Sequence, residues 1–189
     1  VIPPVYPGAP TFPLSPNHFF GRTQERSQIA TLLRDGDTRL VTILGIGGMG
    51  KTRLASEVGY AVRDHFADGV WFVSLVGVEA EGEEAARAAL VRTIYEVLPV
   101  AIRPHLSPEQ ILFASLRSHR LLLILDNMEQ LREGATFISD LLRAAPHLTI
   151  LCTSRAPLKL HAEWLFPLDG LPVPLPSESN VAIDESLEG

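Results

Sequence analysis

Eight consecutive residues constrain this chain more than any other feature: Gly45-Ile46-Gly47-Gly48-Met49-Gly50-Lys51-Thr52. They follow the aliphatic run Leu40-Val41-Thr42-Ile43-Leu44, which reads as a short buried strand, and they precede a stretch that reads as a helix from about Lys51 to about Phe66. Glycines at these positions let successive backbone N–H groups turn inward and form a concave nest for anionic oxygens. The positive end of the following helix points at the same place. In a loop of this spacing the lysine, Lys51, adds a full charge at the outer phosphates of a nucleotide, and the hydroxyl of Thr52 is a ligand for Mg²⁺.

A second pattern overlaps the first. Gly45, Gly47 and Gly50 also fit G-x-G-x-x-G, the weak fingerprint of dinucleotide-binding folds. That reading needs an acid at the end of the second strand for the ribose hydroxyls. The second strand, Val70 to Leu75, ends Val73-Ser74-Leu75, and Asp68 lies at its other end. The phosphate-loop reading therefore prevails, with Gly45 to Thr52 as nucleotide contacts. Arg53, next in the helix, is a candidate phosphate or ribose contact.

Strand and helix patterns alternate along the rest of the chain. Thr23 to Arg34 reads as an amphipathic helix, and Glu83 to Leu98 as a helix closed by Pro99. Ser107-Pro108-Glu109-Gln110 carries a capping serine, a first-turn proline and a glutamine three residues after the cap; it opens a helix expected to run to about Arg117. Leu121 to Leu125 is the third strand, Ala135 to Ala144 a helix, Leu148 to Thr153 the fourth strand and Trp164 to Leu168 a short fifth. Strands that are nearly all apolar call for a mostly parallel sheet covered on both faces, an α/β/α sandwich of about five strands.

Magnesium chemistry at such a loop requires a carboxylate. Asp126 supplies it where the run Leu121 to Leu125 emerges from the sheet, and it is expected to hold a water ligand of the ion. The strand Val70 to Leu75 lies between the loop strand and the Asp126 strand in sequence. This leaves room for an extra sheet strand between them, as in the additional-strand P-loop class that includes AAA+ and RecA-like ATPases. Asn127 follows Asp126 and cannot accept a proton from water, so the nearest acid, Glu129, is the candidate catalytic or water-positioning group. Arg155 ends the fourth strand on the same edge, where a guanidinium could sense the γ-phosphate; the plainer alternative is an arginine paired with an acid.

Composition narrows the partners. The chain has 189 residues, 46% of them hydrophobic and 20% charged, as expected of one globular α/β domain. A net charge of −6 gives no general basic surface for nucleic acid. The single cysteine, Cys152, sits in an apolar run and reads as a core thiol. No aliphatic run is long enough to span a bilayer and no signal-peptide pattern opens the chain, so a cytoplasmic protein without membrane contact is expected. Prolines recur at every third residue from Pro4 to Pro16, which makes residues 1–18 a proline-rich linker. Residues 19–175 form the domain, and 176–189 an acidic linker or tail.

Taken in order, Phe19-Phe20-Gly21-Arg22, Gly45 to Ala55, Leu121 to Leu131 and Cys152 to Leu158 resemble the NTPase core of STAND proteins, the signal-transduction ATPases related to NB-ARC domains. Within that class the bacterial subgroup of large transcriptional regulators is the most similar. The resemblance implies an ATP/ADP switch with slow Mg²⁺-dependent hydrolysis, Phe20, Gly21 and Arg22 on the base side of the nucleotide, and Arg155 as the γ-phosphate sensor. It also implies neighbouring DNA-binding or effector domains, helical repeats and nucleotide-dependent self-association. Two other readings are a P-loop small-molecule kinase and a nucleotide-binding scaffold that does not hydrolyse. Against the kinase, the segment after Asp126 carries only Arg132 and Arg143 as lid candidates before the fourth strand.

Overall fold

The computed structural model describes residues 21–170. The expected linker and the expected acidic tail lie outside the described residues, as does Phe20.

Among the described residues five strands form one sheet: β1 (Leu40–Leu44), β2 (Val70–Ser74), β3 (Leu122–Asp126), β4 (Thr149–Ser154) and β5 (Glu163–Pro167). Every pairing is parallel, in the order β2-β3-β4-β1-β5. Among the described residues the α-helices are α1 (Thr23–Asp35), α2 (Lys51–Val62), α3 (Glu83–Val97), α4 (Pro108–Leu116) and α5 (Thr136–Ala144). A 3₁₀ turn at Arg63–His65 replaces the last expected turn of α2.

The sheet divides the core in two, as side-chain alternation requires. On one face Leu123 and Leu125 of β3 pack with Ile150 and Cys152 of β4 beneath α3, α4 and α5. On the other, Leu122 and Ile124 join Leu151, Val41 and Ile43 beneath α1 and α2. Arg87 of α3 ties the first helical layer together, with ion pairs to Glu109 of α4 at 2.6 Å and Asp140 of α5 at 2.8 Å. The capping box that opens α4 is complete: Ser107 Oγ accepts the Gln110 amide, and the Gln110 side chain accepts the Ser107 amide.

One strand sits where the sequence could not place it. The strand between β1 and β3 is β4, while β2, which lies between them in sequence, is the edge beyond β3. Burial explains the order. All six residues of β4 are buried, which suits the middle of a sheet covered on both faces. β2 and β5 both carry exposed positions and take the edges. Pro167, which has no N–H to donate, ends the edge strand β5.

Candidate functional site

Parallel strands bring their carboxyl ends to one edge, and the glycine-rich loop leaves β1 there. Gly48 and Gly50 both adopt φ near +81°, a conformation that costs residues with a Cβ about 1 kcal/mol or more. Gly50 then caps α2, whose first residue is Lys51. Gly45 serves a different purpose: a Cβ there would come within 3.0 Å of Met49 Sδ and 3.3 Å of the Leu168 carbonyl.

Lys51 is 7% exposed, and its ammonium donates to the carbonyls of Gly45 at 2.7 Å and Ile46 at 3.0 Å. Among the described residues no carboxylate lies within ion-pair distance of it. A buried cation satisfied only by neutral carbonyls leaves the loop electropositive, which fits an anionic ligand.

Asp126 is 3% exposed at the end of β3. Its carboxylate accepts the Thr52 hydroxyl, at 2.8 Å to Oδ1 and 3.1 Å to Oδ2. It also accepts the Thr153 hydroxyl at 2.6 Å, and Thr153 Oγ1 in turn accepts the Asn127 amide at 3.0 Å. A carboxylate offers about four lone-pair sites, so acceptor capacity remains beside the Thr52 oxygen. A hydroxyl and a carboxylate are the hard oxygen donors that suit Mg²⁺, which keeps most of its waters.

These groups line an open cleft of about 410 Å³, formed by Gly47 through Arg53 with Ser56, Asn127, Glu129 and Arg155. The structure thus gathers Lys51, Thr52, Arg53, Glu129 and Arg155 around one space, with Asp126 beneath Thr52. Gly45 and Ile46 stand at the base of the loop; their carbonyls hold Lys51, and the Ile46 side chain projects outward. Arg155 pairs with Glu129, its Nε 3.0 Å from Oε1. Gly21 and Arg22 are not among the cleft's lining. Arg22, in the left-handed region at φ 59°, is buried against α1, paired with Glu25 at 2.9 Å and donating to the Asp169 carbonyl at 2.6 Å. Because Leu168 N bonds to Leu44 O at 2.7 Å, that anchor holds Arg22 beside the root of the loop.

Sequence reasoning passed over Thr153 as a site residue. It sits next to Asp126 only because β4 pairs with β3, with Leu125 opposite Cys152 one residue earlier. A hydroxyl residue immediately before the end of the fourth strand was the available signal, and it acquires meaning only once the strand order is known.

A parallel sheet with a glycine-rich phosphate loop after β1, an aspartate at the end of β3 and a strand inserted between them defines a P-loop NTPase of the additional-strand, AAA+-like class. Residues 18–152 match the family model described as AAA ATPase domain, and the chain belongs to that family. It is 36% identical over 152 residues to an uncharacterized protein of Mycobacterium tuberculosis, covering 79% of this chain and 37% of that one. It is 38% identical over 132 residues to a protein of the same organism named as an HTH-type transcriptional regulator, covering 68% of this chain and 14% of that one. The regulatory protein AfsR of Streptomyces griseus is 34% identical over 137 residues, covering 70% and 13%. The chain thus spans little more than a third of the first relative and about an eighth of the regulators.

Among solved structures, the fold is shared with Cdc6p of Pyrobaculum aerophilum (TM-score 0.58, 17% identity, covering 82% of this chain and 47% of that one). It is shared also with a STAND protein of Pyrococcus horikoshii that carries a tetratricopeptide repeat sensor (TM-score 0.50, 17% identity, covering 82% and 24%). The resemblance read from the motifs thus meets a fold shared with a STAND protein and relatives named as transcriptional regulators. Among the described residues no helix is long and apolar enough to cross a membrane.

Proposed function

We propose that this AAA-type ATPase domain binds ATP and ADP with Mg²⁺ in the cleft above β1, β3 and β4, and works as a slow hydrolytic switch within a cytoplasmic regulatory protein. The observation that carries the reading is the Thr52–Asp126 hydrogen bond at 2.8 Å, which joins the loop's hydroxyl to the strand-end carboxylate beside the buried Lys51.

In this reading the loop amides and Lys51 hold the phosphates, Arg53 adds a contact, and Phe20, Gly21 and Arg22 lie toward the base. Thr52 and Asp126 would hold Mg²⁺, which when bound offsets the negative charge of the phosphate oxygens. Arg155 reports whether a third phosphate is present. Hydrolysis adds water to the γ-phosphorus, breaks its bond to the β-phosphate oxygen and releases ADP and phosphate. The domain boundaries are those read from the sequence, 19–175, with a DNA-binding or effector domain, helical repeats or a second copy as partners of the full-length protein. The relatives named as regulators support that setting.

Lys51→Ala tests the site. Replacing a charge-assisted contact should weaken both ATP and ADP by about 100-fold in titration calorimetry. Unchanged affinities would remove the loop from the nucleotide site. Labelled ATP incubated with the wild-type chain should give slow phosphate release and retained ADP. Transfer of the label to a small acceptor molecule would make the domain a kinase instead.

A further inference from the structure

We infer that Glu129 is a positioning residue for Arg155: by holding its guanidinium from one side, it aims the terminal nitrogens at the phosphate loop and sets the preference for a nucleoside triphosphate over a diphosphate. This rests on the reading of the cleft given above, and it moves Glu129 from the attacking water to the arginine.

The two partners are unequally supported. The Arg155 side chain is 66% exposed and stands at the end of β4 with a long stem, so few neighbours restrict its rotamers. The Glu129 side chain is 18% exposed and sits on a braced turn. Asn127 adopts the left-handed conformation at φ 65°, which asparagine tolerates better than most residues. Its amide is held by Thr153 at 3.0 Å. Met128 and Leu131, on either side of Glu129, are fully buried. The fixed member of the pair is therefore the acid, and the member that needs fixing is the arginine.

Direction follows from which atoms touch. Nε of Arg155 lies 3.0 Å from Glu129 Oε1. Nη2 reaches the loop: it would lie 3.5 Å from a Cβ on Gly47, with Cζ at 3.7 Å. The guanidinium is thus spread between an anchor on β3's extension and the backbone that cradles the phosphates. An ion pair on one side of a planar fork limits where its remaining donors can point, and an ammonium has no such fork. The pair is also neutral as a whole, so its effect on a ligand is one of aim more than of net charge.

The same geometry argues against Glu129 as a base. A general base must lie within hydrogen-bond reach of the water it deprotonates. Oε1 is taken by the guanidinium, and Oε2 is buried without a hydrogen-bond partner. Two rungs therefore join the ends of β3 and β4. Asp126–Thr153 stands beneath the loop hydroxyl, and Glu129–Arg155 above the phosphate cradle.

Calorimetric affinities for ATP and ADP, with phosphate release measured in parallel, test the assignment. Arg155→Ala should narrow the ATP-over-ADP ratio by about 10-fold, the scale of one charge-assisted contact. Glu129→Ala should narrow it by about 5-fold, and the double variant should match Arg155→Ala, because coupled residues are not additive. Glu129→Gln removes the charge of the ion pair at constant size and should narrow the ratio as Glu129→Ala does. Arg155→Lys, a change at an exposed position that removes the fork, should behave like Glu129→Ala and stands in for it if that variant does not fold. A wild-type ratio in Glu129→Ala or in Arg155→Lys would overturn the inference, as would full additivity of the double variant. Loss of phosphate release in both Glu129 variants at an unchanged ratio would also overturn it and place Glu129 on the water. Failure of the wild type to bind either nucleotide would instead bring down the reading of the cleft itself.

Discussion

Asp126 concentrates more of the site on one side chain than any other residue. Two hydroxyls from two different elements converge on it, Thr52 from α2 and Thr153 from β4. In a buried setting each bond matters chiefly because its loss strands a partner, at about 1–3 kcal/mol per orphaned group. Asp126→Asn keeps an amide oxygen for the hydroxyls while removing the charge that a divalent cation needs. We expect ADP affinity within about threefold of wild type in the presence of chelator, since the phosphate cradle is untouched. The gain in affinity on adding Mg²⁺ should disappear. A variant with the full magnesium dependence of wild type, seen by calorimetry with and without chelator, would separate Asp126 from the ion. The sequence carried the aspartate and the threonine of α2 plainly. It could not carry Thr153, whose role depends on a neighbour 27 residues away.

At the scale of elements, the connection between β3 and α5 went unread in the sequence. It is a 3₁₀ segment over Met128–Ala135, broken at Leu131 where φ is −120°, and it has neither the spacing of a helix nor the alternation of a strand. Tertiary contact shapes it. Gly134 lies so close to α3 that a Cβ would stand 2.5 Å from the Arg87 nitrogen and 2.6 Å from the Ala86 carbonyl carbon. Those are backbone atoms of a packed helix and cannot step aside. Gly134→Ala should therefore cost about 3 kcal/mol, at the upper end of overpacking penalties. Thermal or urea unfolding would measure it, and a loss under half a kilocalorie would mean that α3 yields. The same segment carries Glu129, so strain there should also disturb the cleft. By contrast the start of α4 was legible to the residue, because its capping box and first-turn proline are written in four adjacent positions.

The whole molecule can be followed through its one thiol. Cys152 lies on the middle strand β4, fully buried between β1 and β3 and under the α3–α5 layer. Burial pushes its thiol far above the ordinary range, and the carboxylate of Glu163 pushes in the same direction. A disulfide reagent needs the exposed thiolate, so labelling requires the sheet to open. Native labelling at pH 8 should be at least about a thousandfold slower than that of a free thiol, in line with the stability of a small domain. It should slow further with ADP and Mg²⁺, because ligand binds only the folded state. Labelling at the rate of a free thiol in the absence of denaturant would show that β4 is not the closed centre of the sheet.

Taken alone, the sequence determined what is local. The loop from Gly45 to Thr52, the aliphatic strand ending in Asp126, the capped start of α4 and the alternation of elements are all set by residues within a turn or two of one another. Short-range hydrogen bonding, steric limits on φ and side-chain periodicity are enough to read them. The tertiary structure alone decided which strand stands between β1 and β3, and therefore which hydroxyl meets Asp126 and which acid meets Arg155. That order depends on matching doubly buried strands to the centre of the sheet and half-exposed ones to its edges. The balance is struck among strands more than 100 residues apart, and no local pattern encodes it.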